Sequence, residues 1–289
     1  MLPFDLPKID GDTNSPVWNG NAFTSGQKIL KILEYSENFS GWSDDLTTMH
    51  EQISGDSHPI DLASRNDAIV QLSKAGVKSK SVIMEIGCSS GFLLRDLVKF
   101  FPWAVIIGAD VVRTPLLDLA DKIKNIPLIR FDLLQNPLPS ACIDVLILLN
   151  VLEHIEDDNL ALKNAFELLK PGGTIILEVP ACQWLYDAYD SQLHHYRRYS
   201  ASGLKSKLKQ AGFVVTRASH LGFLIFPIFI IIKLLNRFRK NSFNLVQDYA
   251  SSTSKSKLLS VLLGIERGYF GNIALPFGIR VLMTARKPN

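Results

Sequence analysis

The sequence predicts an α/β protein with a Rossmann-like architecture, in which helices cover both faces of a seven-stranded, mostly parallel sheet. Three observations support this prediction. Residues 81–94 run from a strand pattern through a glycine-containing turn into a helix pattern, and short apolar runs then alternate with helix-period segments. Two strand patterns near the end of the chain are separated by about sixty residues. We therefore expect an antiparallel last strand and a helical insertion before it.

The individual elements follow from periodicity and from turn residues at their ends. Short apolar runs predict strands at 81–86, 104–110, 128–132, 143–150, 174–179, 213–219 and 279–285. Helical spacing predicts helices at 60–75, 92–101, 114–124, 159–169 and 200–211. Strand and helix lengths of this kind imply right-handed crossovers, which bring the carboxyl ends of the parallel strands to one edge of the sheet.

The same patterns divide the chain into three parts. Residues 1–59 form an N-terminal arm, of which 1–21 are interrupted by three prolines, 22–39 have helix-like spacing and 42–58 have no clear period. Residues 60–219 and 279–289 form the α/β domain, and residues 220–278 are the insertion. The first residues lack the apolar run of a secretory signal, so we expect a cytoplasmic protein.

Composition agrees with a globular cytoplasmic chain. Hydrophobic residues make up 47% of the 289 residues and charged residues 20%, which excludes a disordered protein. The three cysteines, Cys88, Cys142 and Cys182, lie far apart without metal-ligand spacing. We therefore expect reduced thiols and no metal site.

The turn after the first strand of the α/β domain has the chemistry of a cofactor site. Gly87 and Gly91 allow the backbone to approach a ligand closely, and the unpaired amides at the start of the next helix attract negative charge. Glu85 lies two residues before the first glycine. Because this acid would repel a pyrophosphate, a nicotinamide dinucleotide is disfavoured here.

The segment Glu85-Ile-Gly87-Cys-Ser-Ser-Gly91 resembles the first motif of the class I S-adenosylmethionine-dependent methyltransferases, with serine replacing the middle glycine. The resemblance covers residues 60–219 and 279–287. It implies that the turn, including Cys88 and Ser89, wraps the methionine part of S-adenosylmethionine. It also implies that Glu85 holds that end of the pocket through the amino group of the cofactor or through the surrounding turn.

Two further acids stand at successive strand ends. Asp110 can accept hydrogen bonds from both ribose hydroxyls, although a strand-ending Asp can also cap the next helix. Phe131-Asp132-Leu133 resembles the adenine site of the family, and a turn-forming Asp is the alternative there. The resemblance also implies that the segment from Asn150 to His154 passes beneath the methyl donor. The other predicted cofactor contacts are Val111, Leu133 and Asn150.

A loop after the fifth strand carries the candidate catalytic residues. Two imidazoles, two guanidinium groups and two phenols lie within residues 194–199. A histidine can take a proton from a hydroxyl or amine as it is methylated, and an arginine can bind phosphate or carboxylate. A charged surface loop is the alternative. The predicted catalytic residues are His194, His195, Tyr196 and Arg198.

The insertion is apolar and then basic. Residues 221–232 are apolar but too short and interrupted to span a membrane with confidence, and Lys233, Arg237, Arg239 and Lys240 follow directly. Residues 205–289 hold 14 Lys and Arg but only 2 Asp and Glu. This pattern suits an anionic membrane surface or an acyl or prenyl groove, and it equally suits a lid, a dimer contact or packing against the sheet.

The combined interpretation is an enzyme that transfers a methyl group from S-adenosylmethionine to an oxygen or nitrogen of a small-molecule, glycan or lipid-linked acceptor. We expect no nucleic-acid partner. An anionic membrane surface on the inner face of the cell membrane is a possible peripheral partner. The alternative is a non-catalytic module that keeps the methyltransferase fold for binding or scaffolding.

Overall fold

A mixed eight-stranded sheet organises the computed structural model, which describes residues 1–9, 11–35, 56–236, 256–271 and 273–289. The described strands are β1 Val17–Trp18, β2 Phe23–Ser25, β3 Lys28–Leu30, β4 Leu33–Glu34, β5 Val82–Ile86, β6 Val105–Asp110, β7 Leu128–Arg130, β8 Ile143–Leu149, β9 Leu169–Pro180, β10 Val214–Leu221 and β11 Arg280–Arg286. The described helices are α1 Pro59–Ala75, α2 Phe92–Phe100, α3 Arg113–Lys122, α4 Asp158–Leu168, α5 Ala188–Gln192, α6 Ala201–Gln210, α7 Phe226–Asn236 and α8 Lys257–Phe270.

The strand order of the sheet is β10-β11-β9-β8-β5-β6-β7-β4. The six strands from β9 to β4 are parallel, and β11 runs antiparallel to both β9 and β10. The next two strands along the chain, β6 and β7, lie on one side of β5. The later strands β8 and β9 lie on its other side. An open parallel sheet binds ligands where the strand order reverses in this way.

Helices cover both faces of the sheet, as predicted. Buried leucines of α1, α2 and α3 pack against one face, and buried residues of α4 and α6 pack against the other. Ser200 accepts a hydrogen bond from the Gly203 amide, so it caps α6. The α/β prediction is therefore confirmed, and each of the seven predicted strands has a counterpart within a few residues. The predicted count of seven is wrong for the described sheet, which has eight strands because β4 of the N-terminal arm pairs with β7.

The N-terminal arm departs from the prediction. The helix expected at residues 22–39 is wrong where the chain is described, because residues 23–34 form β2, β3 and β4. Gly26 turns the chain between β2 and β3 with a φ of +57°, and Leu33 pairs with Ile129 of β7. The spacing of apolar residues in this segment resembles that of a helix, but pairing with the edge of the sheet stabilises an extended conformation instead. Residues 36–55 lie outside the described part of the chain.

The strand predicted at residues 174–179 begins earlier than expected, since β9 already starts at Leu169. Its pairing with β8 shifts register between Ile143 and Val145. Lys170 bonds Asp144 across this irregularity at 2.7 Å. The segment is therefore a bulged start of the strand.

The insertion contributes two described helices, α7 and α8. Buried residues of both helices pack with Ile60 of α1 and with residues of β10 and β11 to form a third apolar cluster. Glu266 of α8 accepts hydrogen bonds from the Gly222 and Leu224 amides, which ties α8 to the chain leading into α7. None of the helices in the described ranges is long and apolar enough to cross a bilayer.

Candidate active site

A cavity of about 410 Å³ opens at the carboxyl ends of β5, β6, β7 and β8. The glycine turn after β5 and the first residues after β6, β7 and β8 line one part of it. Residues 189–198 and the inner face of α7 line another part. One cavity therefore joins the predicted cofactor motifs to the predicted catalytic loop.

Backbone hydrogen bonds fasten the glycine turn to β6. The amides of Gly87 and Cys88 both donate to the Ala109 carbonyl, at 2.8 and 3.0 Å. Gly87 has a φ of +79°, and a Cβ at this position would collide with Cγ2 of Val151. Glycine is required here because the chain after β8 crosses directly against the turn.

Gly91 has a packing role that the sequence did not predict. It is absent from the cavity lining, and it begins α2 with a φ of +70°. A Cβ on Gly91 would lie 2.6 Å from Cδ1 of Leu119 in α3. The position is therefore explained by close packing of α2 against α3.

Asp110 is bonded to the protein backbone at the end of β6. Its carboxylate accepts from the Ser89 amide at 2.8 Å and from the Val112 amide at 3.0 Å. Each carboxylate oxygen can accept more than one hydrogen bond, so ribose hydroxyls can still be bound. Asp110 thus shapes the glycine turn as well as lining the cavity.

Asp132 follows β7 and caps the short 3-10 helix Leu133–Gln135 through the Leu134 amide, at 2.8 Å. The alternative expectation, that Asp132 forms a turn, therefore holds for its Oδ1 atom, which accepts the Leu134 hydrogen bond. Asp132 and Leu133 nevertheless line the cavity, as the adenine interpretation requires.

Glu85 is a buried carboxylate in the floor of the cavity. Among the described residues, no group donates a hydrogen bond to its Oε2. Burial and the neighbouring charge of Asp110 raise the pKa of Glu85 well above its ordinary value. A cationic ligand group beside this carboxylate would restore its ionised form, and the ammonium of S-adenosylmethionine fits that requirement.

A second buried carboxylate, Glu178 of β9, organises the middle of the site. Its Oε1 accepts from Asn150 Nδ2 at 3.0 Å, from Ser64 Oγ at 2.8 Å and from Arg280 Nη1 at 2.6 Å. Arg280 also pairs with Asp61 of α1 at 3.1 Å. These bonds hold α1 and the chain after β8 in place along the cavity.

Glu153 lies at the other part of the cavity, in the 3-10 helix Leu152–His154. Its side chain is buried, and no residue in the described part of the chain donates a hydrogen bond to either carboxylate oxygen. Burial raises the pKa of Glu153 to about 8, against the opposing charges of Arg280 and Arg198. This residue belongs to the segment from Asn150 to His154, which the sequence resemblance was expected to place beneath the methyl donor.

Asp190 of α5 is the centre of a buried ion-pair network on the same side. Its Oδ1 accepts from His195 Nδ1 at 2.9 Å and from Arg198 Nε at 2.8 Å, and Lys233 Nζ lies 2.9 Å from its Oδ2. Lys233 also bonds Asp187 Oδ1 at 2.7 Å. We call these five residues the Asp190 network.

The network sets the protonation of its members. Burial disfavours the charge of Asp190, but the His195 hydrogen bond and the charges of Arg198 and Lys233 hold the pKa of Asp190 well below its ordinary range. Burial lowers the pKa of His195 despite the opposing effect of Asp190. His195 is therefore neutral at pH 7, with Nδ1–H donated to Asp190 and the lone pair of Nε2 available.

Lys233 contradicts the premise that the basic residues of the insertion face lipid phosphates. It is 2% exposed and is paired with two carboxylates inside the protein. The other three basic residues, Arg237, Arg239 and Lys240, lie outside the described residues. The run at 221–232 is likewise not uniform, because Ile225 and Phe226 are buried whereas Ile228 and Ile231 are exposed.

The structure brings most of the predicted site residues together. The cavity lining includes three of the four predicted catalytic residues, and His194 is exposed outside it. It also includes nine of the ten predicted cofactor residues, namely Glu85, Gly87, Cys88, Ser89, Asp110, Val111, Asp132, Leu133 and Asn150. Lining residues that sequence reasoning did not select include Glu153, Tyr189, Phe229, Lys233 and Arg280.

Comparison with known proteins places the fold in a familiar family. Residues 61–218, more than half of the chain, match a family model described as a methyltransferase domain. A Mycolicibacterium smegmatis protein named as a probable S-adenosylmethionine-dependent methyltransferase is 27% identical over 138 residues, which is 46% of this chain and 52% of that protein. A Mycobacterium tuberculosis protein with the same description is 26% identical over 134 residues, 46% of this chain and 48% of that protein. The chain thus matches about half the length of these curated relatives.

Solved structures agree at the level of the fold. A Galdieria sulphuraria protein described as a sarcosine dimethylglycine methyltransferase is 17% identical, with a TM-score of 0.59 over 85% of this chain and 99% of that one. Haemonchus contortus phosphoethanolamine N-methyltransferase 2, solved with S-adenosylmethionine, is 18% identical, with a TM-score of 0.54 over 84% of this chain and 57% of that one.

Proposed function

This chain belongs to the S-adenosylmethionine-dependent methyltransferase family, and from that premise we propose that it methylates an oxygen or nitrogen atom of an acceptor entering beside His195. The proposal rests on one observation. A single cavity is lined both by the glycine turn with its three carboxylates and by a neutral, oriented imidazole. Binding donor and acceptor in one cavity is the main requirement for methyl transfer, because orientation contributes on the order of 7–11 kcal/mol.

The cofactor would be held by carboxylates whose oxygens can accept further hydrogen bonds. The unpartnered oxygen of Glu85 accepts from the cofactor ammonium, Asp110 from the ribose hydroxyls and Asp132 from the adenine amine. The remaining contacts come from Gly87, Cys88, Ser89, Val111, Leu133 and Asn150. When bound, S-adenosylmethionine supplies an electrophilic methyl group on a sulfonium sulfur.

His195 is the group that takes the acceptor proton. Asp190 holds its Nδ1, which presents Nε2 as the base, and burial keeps the ring neutral at pH 7. Tyr196 stands half-exposed at the cavity wall, where it can contact the acceptor. Arg198 is a positioning residue, because its guanidinium is buried against Asp190 and the Ala181 carbonyl.

The charges of the cavity favour an acceptor without an anionic group at the reacting end. In the described part of the chain, each lysine and arginine that lines the cavity is bonded to a carboxylate: Arg65, Arg198, Lys233 and Arg280. A phosphate would have to displace one of these buried partners. A neutral hydroxyl or amine of a glycan or lipid-linked compound meets no such obstacle.

The insertion supports a lipid-linked acceptor delivered at an anionic membrane surface. Phe229 and Lys233 on the inner face of α7 line the cavity. The outer face of α7 exposes Ile228, Ile231 and Leu235, and α8 exposes a similar apolar row. An apolar surface beside the cavity mouth suits the interfacial region of a bilayer, and the basic residues after α7 suit its anionic head groups.

The test uses S-adenosylmethionine with a deuterated methyl group and separate lipid and glycan extracts. We expect one hydroxyl- or amine-bearing compound to gain the labelled methyl group with the parent protein and much less with His195→Ala. S-adenosylhomocysteine should bind both proteins with similar affinity. Binding without any labelled product would instead support the non-catalytic module, and absence of binding would overturn the cofactor assignment.

A further inference from the structure

Three side chains converge on the acceptor side of the cavity. Glu153 and His154 are adjacent in the 3-10 helix Leu152–His154, and His195 comes from the loop after α5. One potential ligand atom from each residue lies within 4.8 Å of the other two, and the two imidazole centroids are 4.6 Å apart. Ligand atoms around a tetrahedral metal bound at about 2.0–2.2 Å lie roughly 3.3–3.6 Å apart, so the three side chains would move together by up to about 1.5 Å to hold an ion.

The buried carboxylate of Glu153 is the feature that favours a bound cation at this position. Its side chain is 1% exposed, and neither oxygen has a hydrogen-bond partner within the described ranges. An unpaired ionised carboxylate is costly to bury. The charges of Arg280 and Arg198 act on Glu153 only from a distance, because their own bonds go to Glu178 and to Asp190.

His195 has the orientation expected of a metal-ligating histidine. Its Nδ1 is bonded to Asp190 at 2.9 Å, which leaves Nε2 as the ligand atom. Metal-ligating histidines commonly donate their second ring nitrogen to a carboxylate, which fixes the tautomer and the ring orientation. Arg198 and Lys233 in turn hold Asp190 in place.

We propose that Glu153, His154 and His195 bind one divalent first-row transition cation, of the Zn²⁺ or Mn²⁺ type. Two imidazoles and one carboxylate suit this class of ion better than Mg²⁺ or Ca²⁺, which prefer oxygen ligands. Three protein ligands leave at least one coordination position for an acceptor oxygen. With the ion bound, His195 would be a ligand and no longer the base; the ion would make a coordinated acceptor hydroxyl more acidic, and its proton would pass to solvent water.

The experiment measures binding of Zn²⁺ and of Mn²⁺ alone to the chelator-treated full-length protein by calorimetry, with Mn²⁺ binding followed in parallel by electron paramagnetic resonance. We expect one ion per chain in the parent protein. Glu153→Gln and His195→Ala should each weaken binding on the order of 100-fold. Glu156→Gln is the matched control, because Glu156 is an exposed acid three residues away. It should bind as the parent does.

Circular dichroism would establish that each variant is folded before it is titrated. Glu153→Gln should fold well, because glutamine is a neutral group of nearly the same shape as the buried carboxyl group. The proposal is overturned if the parent binds no stoichiometric ion, or if Glu153→Gln binds as tightly as Glu156→Gln. Neither donor nor acceptor is present, so this result is independent of whether the protein transfers a methyl group.

Discussion

The two parts of the cavity are constructed differently. On the cofactor side, backbone amides of the glycine turn bond directly to the end of β6, and Asp110 completes the turn through the Ser89 amide. On the acceptor side, the loop after α5 and helix α7 of the insertion are joined by buried ion pairs between Asp190, Arg198 and Lys233. Main-chain geometry therefore fixes the first part, and side-chain charges fix the second.

This difference predicts where the molecule is most sensitive to substitution. A main-chain turn keeps its hydrogen bonds when a nearby side chain changes. A buried ion pair leaves an unpaired charge when one partner is removed, and that charge is expensive in a medium that excludes water. The acceptor side should therefore lose stability more easily, while the cofactor side should lose mainly affinity.

The largest expected effect is that of Lys233→Met. The substitution keeps the apolar stem but removes the ammonium partner of Asp187 and one of the two cations bonded to the buried Asp190, so we expect a loss of about 3–5 kcal/mol in unfolding free energy. Urea denaturation of the parent and the variant measures this loss.

Lys31→Met is the matched control for Lys233→Met. Lys31 pairs with Asp121 at 2.6 Å, but the two side chains are 63% and 59% exposed, so no measurable change is expected. Equal losses in both variants would show that burial of the Asp190 network does not matter for stability.

The second prediction concerns the pH dependence of stability. Because the pKa of Glu153 is about 8 in the folded protein and near 4.5 in an unfolded chain, the folded state holds this proton more tightly. The stabilisation that this proton contributes to the folded state is fully present below pH 4.5 and is lost as the pH rises through 8. Between pH 5 and 8, the parent should lose roughly 2–4 kcal/mol more stability than Glu153→Gln.

Chelator must be present in these measurements, so that a bound ion does not neutralise the carboxylate. Glu156→Gln should follow the parent, because Glu156 is exposed. Parallel stability curves for the parent and Glu153→Gln would contradict the assignment of Glu153 as an uncompensated buried acid.

A third prediction tests the cofactor side with Asp110→Asn. The amide keeps one acceptor oxygen but removes the charge, and it disturbs the bond to the Ser89 amide. We expect S-adenosylhomocysteine to bind more weakly by about 1–3 kcal/mol, with little change in stability. Calorimetry measures the affinity, and preference of the parent for NADH would reject the cofactor assignment.

The smallest expected effect concerns the outer face of α7. Ile231→Ser with Leu235→Ser should reduce co-sedimentation with anionic vesicles severalfold at low salt, because both side chains are exposed in the structure. Val98→Ser is the control, an exposed apolar residue of α2. If the parent does not sediment with vesicles, the acceptor is delivered from solution instead.

The cofactor side could be predicted from sequence because its residues lie at strand ends. Glu85, Asp110 and Asp132 each follow a short apolar run, and parallel strands bring such ends to one edge of the sheet. The helices and strands of the α/β domain were predictable for the same reason, since their periodicity is local.

The acceptor side depends on partners that are distant in the chain. Lys233 lies 43 residues beyond Asp190, and its neighbours in sequence are apolar or basic, so the insertion suggested a membrane contact. Burial of Glu153 likewise depends on the loop after α5, whose Tyr196 amide bonds the Glu153 carbonyl. The arm at residues 23–34 was misassigned because the edge of the sheet, not local spacing, determines its conformation.

The central claim is that one cavity holds the donor against the glycine turn and the acceptor against His195. The most direct measurement compares Glu85→Gln and His195→Ala for S-adenosylhomocysteine affinity and for transfer of a labelled methyl group. We predict that Glu85→Gln loses affinity, because it removes the carboxylate that meets the cofactor ammonium, whereas His195→Ala keeps affinity and loses transfer. Equal loss of affinity in both variants, or unchanged transfer by His195→Ala, would contradict the account.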